Sequence, residues 1–372
     1  MSGKPLVLFD ADVLGRNRTG DETYVVQLLR ELPAVAEDLR IAAITRDPSL
    51  VPDGIEPVHL PAGSQELRMA VTLPRLLRRL RPSLAHFIHA LPLSCPSATV
   101  VTVQDLSWER DPSVFGFWDL ATFKLFVRRA VRKADHVLAI SERTKRDLIE
   151  LYGTASDKIT VTPLAPDSDY RPAGEHDSFL LFVSAIEPRK QPLDAIDAAN
   201  AVGRKLVVVG PKKDEELVAE LVRRGADVRG YVPKAQLVEL YQRAACLVFP
   251  SRYEGFGLPV VEAMACGLPV LTSNTSSLGE IAADAAETVD PASIDAIADA
   301  IGRLARDTEL RRDRSQRGLR RARDFSWTQT AREMLAVYHR AAGVSKAAPV
   351  PSTVDPVGDQ SMPVKSMTRS KL

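Results

Sequence analysis

At 372 residues the chain is long for a single hydrophobic core, so two domains are expected. Apolar content of 45% with 26% charge is ordinary for a globular protein, and a formal charge of +1 gives no global field to attract nucleic acid. Cys95, Cys246 and Cys266 are scattered and odd in number, which argues against both a metal-ligand cluster and a disulfide framework.

No apolar run approaches ~18 residues and the N-terminus has no signal-peptide apolar core, so a cytoplasmic protein is expected. Short β-type runs alternate with helical periodicity, the pattern of α/β architecture with parallel sheets. In the first half strands are expected at 6–9, 41–44, 84–88, 99–103, 136–140 and 159–161. Helices are expected at 22–32, 66–79, 118–133 and 142–152, with Ser141 and Thr144 placed for a cap and a first turn. A polar, Pro-containing stretch at 165–178 reads as a linker.

The alternation then restarts, with strands expected at 179–183, 206–209, 228–232, 247–249 and 270–272. Helices follow at 292–306, 309–323 and 328–342. Two α/β halves joined by a linker suggest paired Rossmann-like domains facing a cleft: 1–168 and 169–327, with 328–343 as a further helix. Residues 344–372 are rich in Pro, Ser, Val and Lys, and read as a disordered tail. They end in Ser370-Lys371-Leu372, a peroxisomal address in a eukaryote, but a tripeptide arises easily by chance.

The densest chemistry lies at Glu254-Gly255-Phe256-Gly257-Leu258-Pro259-Val260-Val261-Glu262, directly after an apolar strand. Two glycines make a tight turn and Pro259 suits a helix start. Unpaired N–H groups converge at such a terminus and bind anions. A phosphate cradle flanked by two carboxylates fits a nucleotide-sugar, the acids accepting from ribose and sugar hydroxyls. The alternative is structural, since acids also complement a helix dipole. A second strand–turn–helix carries Glu187-Pro188-Arg189-Lys190 to the sheet edge where open α/β sheets bind ligands. Two cations there suit a departing diphosphate.

With both motifs in place, the chain resembles the retaining glycosyltransferases of family 4, which have the two-domain GT-B fold. Gly230-Tyr231-Val232-Pro233, the 241–251 stretch and Gly267-Leu268-Pro269-Val270 extend the match in the second half. Arg18-Thr19-Gly20 and Arg132-Lys133-Ala134-Asp135 support it more loosely in the first half. The Glu187–Lys190 pattern is similar to O-antigen-type mannosyl- and rhamnosyltransferases.

The resemblance implies roles at matched positions. Glu262 would accept from ribose hydroxyls and Glu254 would contact the transferred sugar. Gly255, Phe256, Gly257 and Leu258 would offer N–H groups to sugar and phosphate. Lys190 and Arg189 would neutralise the diphosphate, Tyr231 would lie near the base, and Gly20 would belong to a first-domain loop facing the diphosphate. The final helix would cross back to the first domain. The implied reaction retains anomeric configuration and needs no bound metal or cofactor, the substrate being a GDP-, UDP- or dTDP-sugar. Asp10-Ala11-Asp12 spells a metal motif of a different glycosyltransferase fold and is read here as structural.

There are departures from the family pattern. Gln104 stands where a histidine is common, so His86 and His89, after the preceding strand, become candidates for the acceptor side of the cleft. Asp21 and Glu22 follow Gly20 where a second glycine is often found, and Ser184 and Ala185 fill positions that hold Gly and Arg in some members. A nucleotide-sugar-binding pseudoenzyme therefore remains the alternative. Between Leu67 and Gln104 there is no acid, while Arg75, Arg78, Arg79 and Arg81 accompany leucines. A second aromatic and basic stretch runs from Phe115 to Lys133. Both suit a glycan or lipid-linked acceptor and peripheral contact with an anionic membrane on the inner face of the plasma membrane, or two ordinary solvated helices.

Overall fold

The computed structural model describes residues 3–16, 19–61, 63–174 and 178–343. Strands β1 (Leu6–Asp10), β2 (Arg40–Thr45), β3 (Glu56–His59), β4 (Leu84–Ile88), β5 (Ala98–Val103), β6 (His136–Ala139) and β7 (Ile159–Val161) form one parallel sheet, in the order β3-β2-β1-β4-β5-β6-β7. Strands β8 (Leu180–Val183), β9 (Leu206–Val209), β10 (Asp227–Gly230), β11 (Cys246–Phe249), β12 (Val270–Ser273) and β13 (Glu287–Val289) form the second, in the order β10-β9-β8-β11-β12-β13. Interior strands such as β8 and β11 are buried at every residue, as parallel strands covered on both faces must be.

Each sheet starts at its centre, winds to one edge and returns to the other side of its first strand. The order therefore reverses between β1 and β4, and again between β8 and β11. Crevices at such reversals receive ligands beyond the carboxyl ends of the strands. The loops delivered there carry Asp10 to Arg16, His89, Glu187 to Lys190 and the Glu254 turn. This is the expected α/β architecture of two Rossmann-like halves.

Several elements differ from the sequence expectation. The expected helix 66–79 is broken into Gln65–Leu67, a π-helical turn Arg68–Thr72 and Leu73–Leu80. Pro74 has no N–H to give four residues back, so the ladder widens and Leu73 N–H bonds to the Arg68 carbonyl instead. The strand expected at 228–232 stops at Gly230, whose φ of +70° turns the chain outward. Strands β3 and β13 were not foreseen; both are short edge strands whose Pro57 and Glu287 interrupt any apolar run.

The 165–178 stretch is pinned where it is described. Ala165 and Tyr170 are buried, and Lys234 of the second half reaches Asp167 at 2.6 Å while Arg30 of the first half lies 3.9 Å from it. The final helix, Trp327–Ala341, crosses back onto the first half. Thr328 Oγ1 donates to Glu31 at 2.7 Å and Thr330 Oγ1 to the Pro163 carbonyl at 2.5 Å. One apolar cluster runs from Leu28 and Leu29 through Met334 and Tyr338 to Phe249 and Val260. The tail expected at 344–372, with its Ser-Lys-Leu end, lies outside the described residues, as does Arg18. Among the described residues no helix is long and apolar enough to cross a membrane.

Candidate active site

Strand β11 brings the chain to the sheet edge, and two glycines then permit what no other residue would. Gly257 has φ of +107°, and a Cβ there would lie 2.5 Å from Leu278 Cδ2. A Cβ on Gly255 would lie 2.0 Å from the Gln104 carbonyl oxygen, so the turn meets the opposite half of the molecule backbone to backbone. Ser277 Oγ donates to the carbonyls of Glu254 and Phe256, each at 2.9 Å, and Ser276 Oγ accepts from the Glu254 N–H at 3.0 Å. The helix Leu258–Ala265 begins at the end of this turn, with Pro259 in its first turn. Phe256 turns its side chain into the core, edge-on to Phe325 at 5.5 Å, while Leu258 is half-buried.

Both carboxylates of the motif are buried and each has a protein partner. Lys190 Nζ donates to Glu254 Oε1 at 2.5 Å and sits 5.8 Å from the Phe249 ring centre. Burial pulls the Lys190 pKa below its ordinary value, with Glu254 opposing and Arg189 adding to the shift. The Arg189 guanidinium donates to the Tyr253 carbonyl and to Glu187 Oε1, the latter at 2.7 Å, and lies 4.0 Å from Glu254. Arg189 thus holds the loop that carries Glu254. Tyr241 donates to Glu262 Oε2 at 2.9 Å. Burial pushes the Glu262 pKa up to about 7 against the hydroxyls of Tyr241 and Tyr170.

Across the cleft, Gln104 follows β5. Its Nε2 is buried without a hydrogen-bond partner among the described residues, and a Cβ on Gly20 would come within 4.0 Å of its Oε1. His89 follows β4 with φ of +59°, a left-handed conformation unusual for a non-glycine residue. Its Nδ1 is likewise buried and unpartnered among the described residues, and its ring stands edge-on to Trp108 at 5.9 Å.

His86 does not join them, which corrects the expectation for that residue. Alternation along β4 points its side chain away from the cleft, into the layer beneath the final helix. Its Nδ1 is 2.6 Å from the Tyr338 hydroxyl and its Nε2 is 2.7 Å from Thr102 Oγ1. Burial lowers its pKa to about 3, so the imidazole is neutral. Tyr231 is 66% exposed, on the outer lip beyond β10. Asp10 is taken by the buried Arg68, and Asp12 by Arg46 at 2.7 Å and Arg16 at 2.9 Å. Among the described residues no group of His, Cys, Asp or Glu is placed to hold a metal ion.

Two family models match successive parts of this chain: glycosyltransferase family 4 over residues 18–170 and glycosyl transferases group 1 over residues 168–321. The chain belongs to the family 4 glycosyltransferases. It is similar to the O-antigen chain mannosyltransferase B of Escherichia coli, with 32% identity over 237 residues covering 57% of this chain and 62% of that protein. The chain spans between 54% and 62% of the length of the first three curated relatives it matches. Among solved structures, a sucrose-phosphate synthase from Thermosynechococcus elongatus aligns with a TM-score of 0.73 at 20% identity, over 92% of this chain and 100% of that one. The Anabaena HepE protein, solved in complex with UDP-glucose, aligns with a TM-score of 0.71 at 16% identity, over 91% and 100%. These likenesses show the GT-B fold.

In this family 4 chain the structure brings together Lys190, Arg189, Glu254 and the Gly255–Leu258 turn on one wall, with Gln104, Gly20 and His89 on the other. Sequence reasoning assigned no role to Tyr253, Tyr241, Asp147 or Glu280, which hold these walls in place. Tyr253 lies inside the motif, but its partner Asp147 is 106 positions away, and nothing local signals the pairing.

Proposed function

We propose that this chain is a retaining glycosyltransferase that moves a hexose from a nucleoside-diphosphate-sugar to a hydroxyl of a glycan or lipid-linked acceptor, without a bound metal. The observation that carries the reading is the placing of two buried carboxylates on either side of one glycine turn and helix start. Glu254 is paired to Lys190, and Glu262 is held by Tyr241. The helix start suits the diphosphate, Glu262 the ribose, and Glu254 the sugar hydroxyls. The name of the Escherichia coli relative favours mannose and a polysaccharide product, and the UDP-glucose complex of HepE favours a nucleotide-sugar donor. Residues 1–168 would form the acceptor-side unit, 169–327 the donor unit, and 328–343 the returning helix.

The acceptor oxygen forms its bond to the anomeric carbon on the face from which the diphosphate leaves. The carbon–phosphate-oxygen bond breaks, and the acceptor proton passes to a departing phosphate oxygen. Lys190 meets the growing negative charge as Glu254 turns to the sugar, so catalysis rests on positioning and electrostatics. Metal independence is supported by the arginine partners of Asp10 and Asp12, which leave that acid pair committed to the fold. The test is incubation with UDP-, GDP- and dTDP-sugars and measurement of nucleotide release. Tight donor binding with no release, acceptors included, would favour the pseudoenzyme reading instead.

A specific surface favours an acceptor at an anionic membrane. The helix Phe117–Lys133 projects Phe117, Trp118 and Leu125 into solvent, 75%, 80% and 65% exposed, with Arg128, Arg132 and Lys133 exposed toward its other end. Trp108 and Phe123, stacked at 5.2 Å, connect this surface to His89 in the cleft. Flotation with phosphatidylglycerol vesicles at low salt tests it, and an absence of binding would sink it.

A further inference from the structure

Tyr253 immediately precedes Glu254, yet its side chain belongs to the opposite half of the molecule. Its hydroxyl donates to Asp147 Oδ2 at 2.7 Å and accepts from the Leu106 N–H at 3.3 Å. Burial, reinforced by Asp105 and Asp147, holds the phenol well above its ordinary pKa, so it remains a neutral donor. Asp147 is itself fully buried and fixed by Arg110 Nε at 2.9 Å and Arg143 Nε at 3.1 Å. Two residues on, Gly255 abuts the Gln104 carbonyl, and Thr144 Oγ1 lies 3.2 Å from the Gln104 carbonyl and 3.4 Å from that of Gly255. Glu254, between them, faces back to Lys190 of its own half.

The three residues therefore alternate: 253 and 255 engage the first half, and 254 engages the second. We propose that Tyr253 is a positioning residue, whose bond to Asp147 converts closure of the cleft into placement of the Glu254 carboxylate and the Gly255 turn against Gln104. Around this bond the interface is polar and incompletely packed. A cavity of about 390 Å³ lies beside it, lined by Arg110, Asp111, Arg143, Arg252, Thr275 and Ser276 as well as Tyr253. Other polar ties cross it further from Glu254: Arg252 reaches Asp111 at 3.0 Å, Arg146 lies 3.5 Å from Glu280, and Glu280 Oε1 accepts from the Glu142 N–H at 2.9 Å, at the start of the helix Glu142–Tyr152. Removing the Tyr253 hydroxyl loosens the tie next to Glu254 and shifts the balance between closed and open forms.

The kinetic part of the test rests on the glycosyltransferase reading, whereas the conformational part does not. Small-angle scattering of the full chain, with and without UDP and GDP, is compared for wild type, Tyr253→Phe, Asp147→Asn and the double variant. Steady-state nucleotide release is measured alongside. Tyr253→Phe is expected to raise the radius of gyration and to lower kcat about tenfold, with nucleotide affinity changed less than about twofold. Asp147→Asn keeps an acceptor oxygen for Tyr253 but neutralises the anion that Arg110 and Arg143 share, so it should lower the melting temperature as well; for the folded fraction, the double variant should lower kcat no further than the more severe single variant. Unchanged scattering and kcat with only a lower melting temperature would overturn the proposal. If the wild type releases no nucleotide from any donor, the functional reading fails, and the scattering arm alone decides whether Tyr253 controls closure.

Discussion

Lys190 and Glu254 are each other's counter-ion in the cleft, 2.5 Å apart and both buried. With Arg189 and Glu187 beside them, the cluster carries two positive and two negative charges before any ligand arrives. A diphosphate gains the full Lys190 charge only if Glu254 acquires hydroxyl donors of its own, which links sugar recognition to stabilisation of the leaving group.

Lys190→Met tests that link. It removes the ammonium while keeping the stem, and leaves Glu254 buried without its closest cation. Stability to denaturant should fall by about 3 kcal/mol, as when one partner of a buried pair is lost. Nucleotide release per folded molecule should fall by about 100-fold or more, the scale of losing one preorganised electrostatic contact. Unchanged single-turnover release would remove Lys190 from the mechanism.

Glu262 predicts a pH dependence with a definite sign. Its folded pKa of about 7 lies above its ordinary 4.5, so between these values the folded chain holds a proton that the unfolded chain has lost. Stability from this group is full below about pH 4.5, declines as pH rises, and levels off above about pH 7. The decline should be about 3 kcal/mol at most. Glu280, also pushed by burial to about 7, contributes in the same direction. Glu262→Gln keeps an acceptor for Tyr241 and should flatten part of the slope in urea titrations. Ribose hydroxyls favour the carboxylate, so nucleotide binding at pH 6.5 should release protons, measurable by calorimetry in buffers of different ionisation heat. No proton release would count against the ribose assignment.

The wall proposed to hold the donor was legible as a cluster because its chemistry is contiguous. A strand, a glycine turn, a helix start and two acids fall within a few turns of one another, and each has a local physical signature. The opposite wall was less so. His86 and His89 stand three positions apart with the same chemistry, and only the pleat of β4 and the return of the final helix decide which one is sealed beneath Tyr338. Arg189 read as a free cation because sequence cannot show that the Tyr253 carbonyl and Glu187 already occupy it. The π-helical turn before Leu73 was hidden because Pro74 disturbs the ladder without breaking the apolar period.

The Asp10-Ala11-Asp12 pair predicts insensitivity to chelators. Arg68 forks onto Asp10 from a buried position, and Arg46 and Arg16 occupy Asp12. EDTA should leave nucleotide release unchanged, and added magnesium should not raise it. Asp10→Asn should instead cost about 3 kcal/mol of stability by removing the nearer of Arg68's two charge partners and leaving it only Asp12, 3.6 Å from its Nε. Loss of release on chelation, recovered by magnesium, would return these acids to the chemistry.

His86 and His89 should separate cleanly when substituted. His86→Ala strands the buried Tyr338 hydroxyl, leaves Thr102 Oγ1 only its 2.9 Å bond to the Tyr24 hydroxyl, and opens a cavity, so stability should fall by about 2–4 kcal/mol. Nucleotide release by the folded fraction should stay within about twofold of wild type. His89→Gly relieves a left-handed side chain while loosening the unfolded chain, so stability should remain within about 1 kcal/mol. Its cost should fall on transfer, because an imidazole whose Nδ1 has no hydrogen-bond partner among the described residues is lost from the wall proposed to face the donor. Denaturation curves and kcat measured on both variants give opposite patterns if the assignment holds. Equal loss of stability with equal activity in both would mean that His89, like His86, serves only the fold.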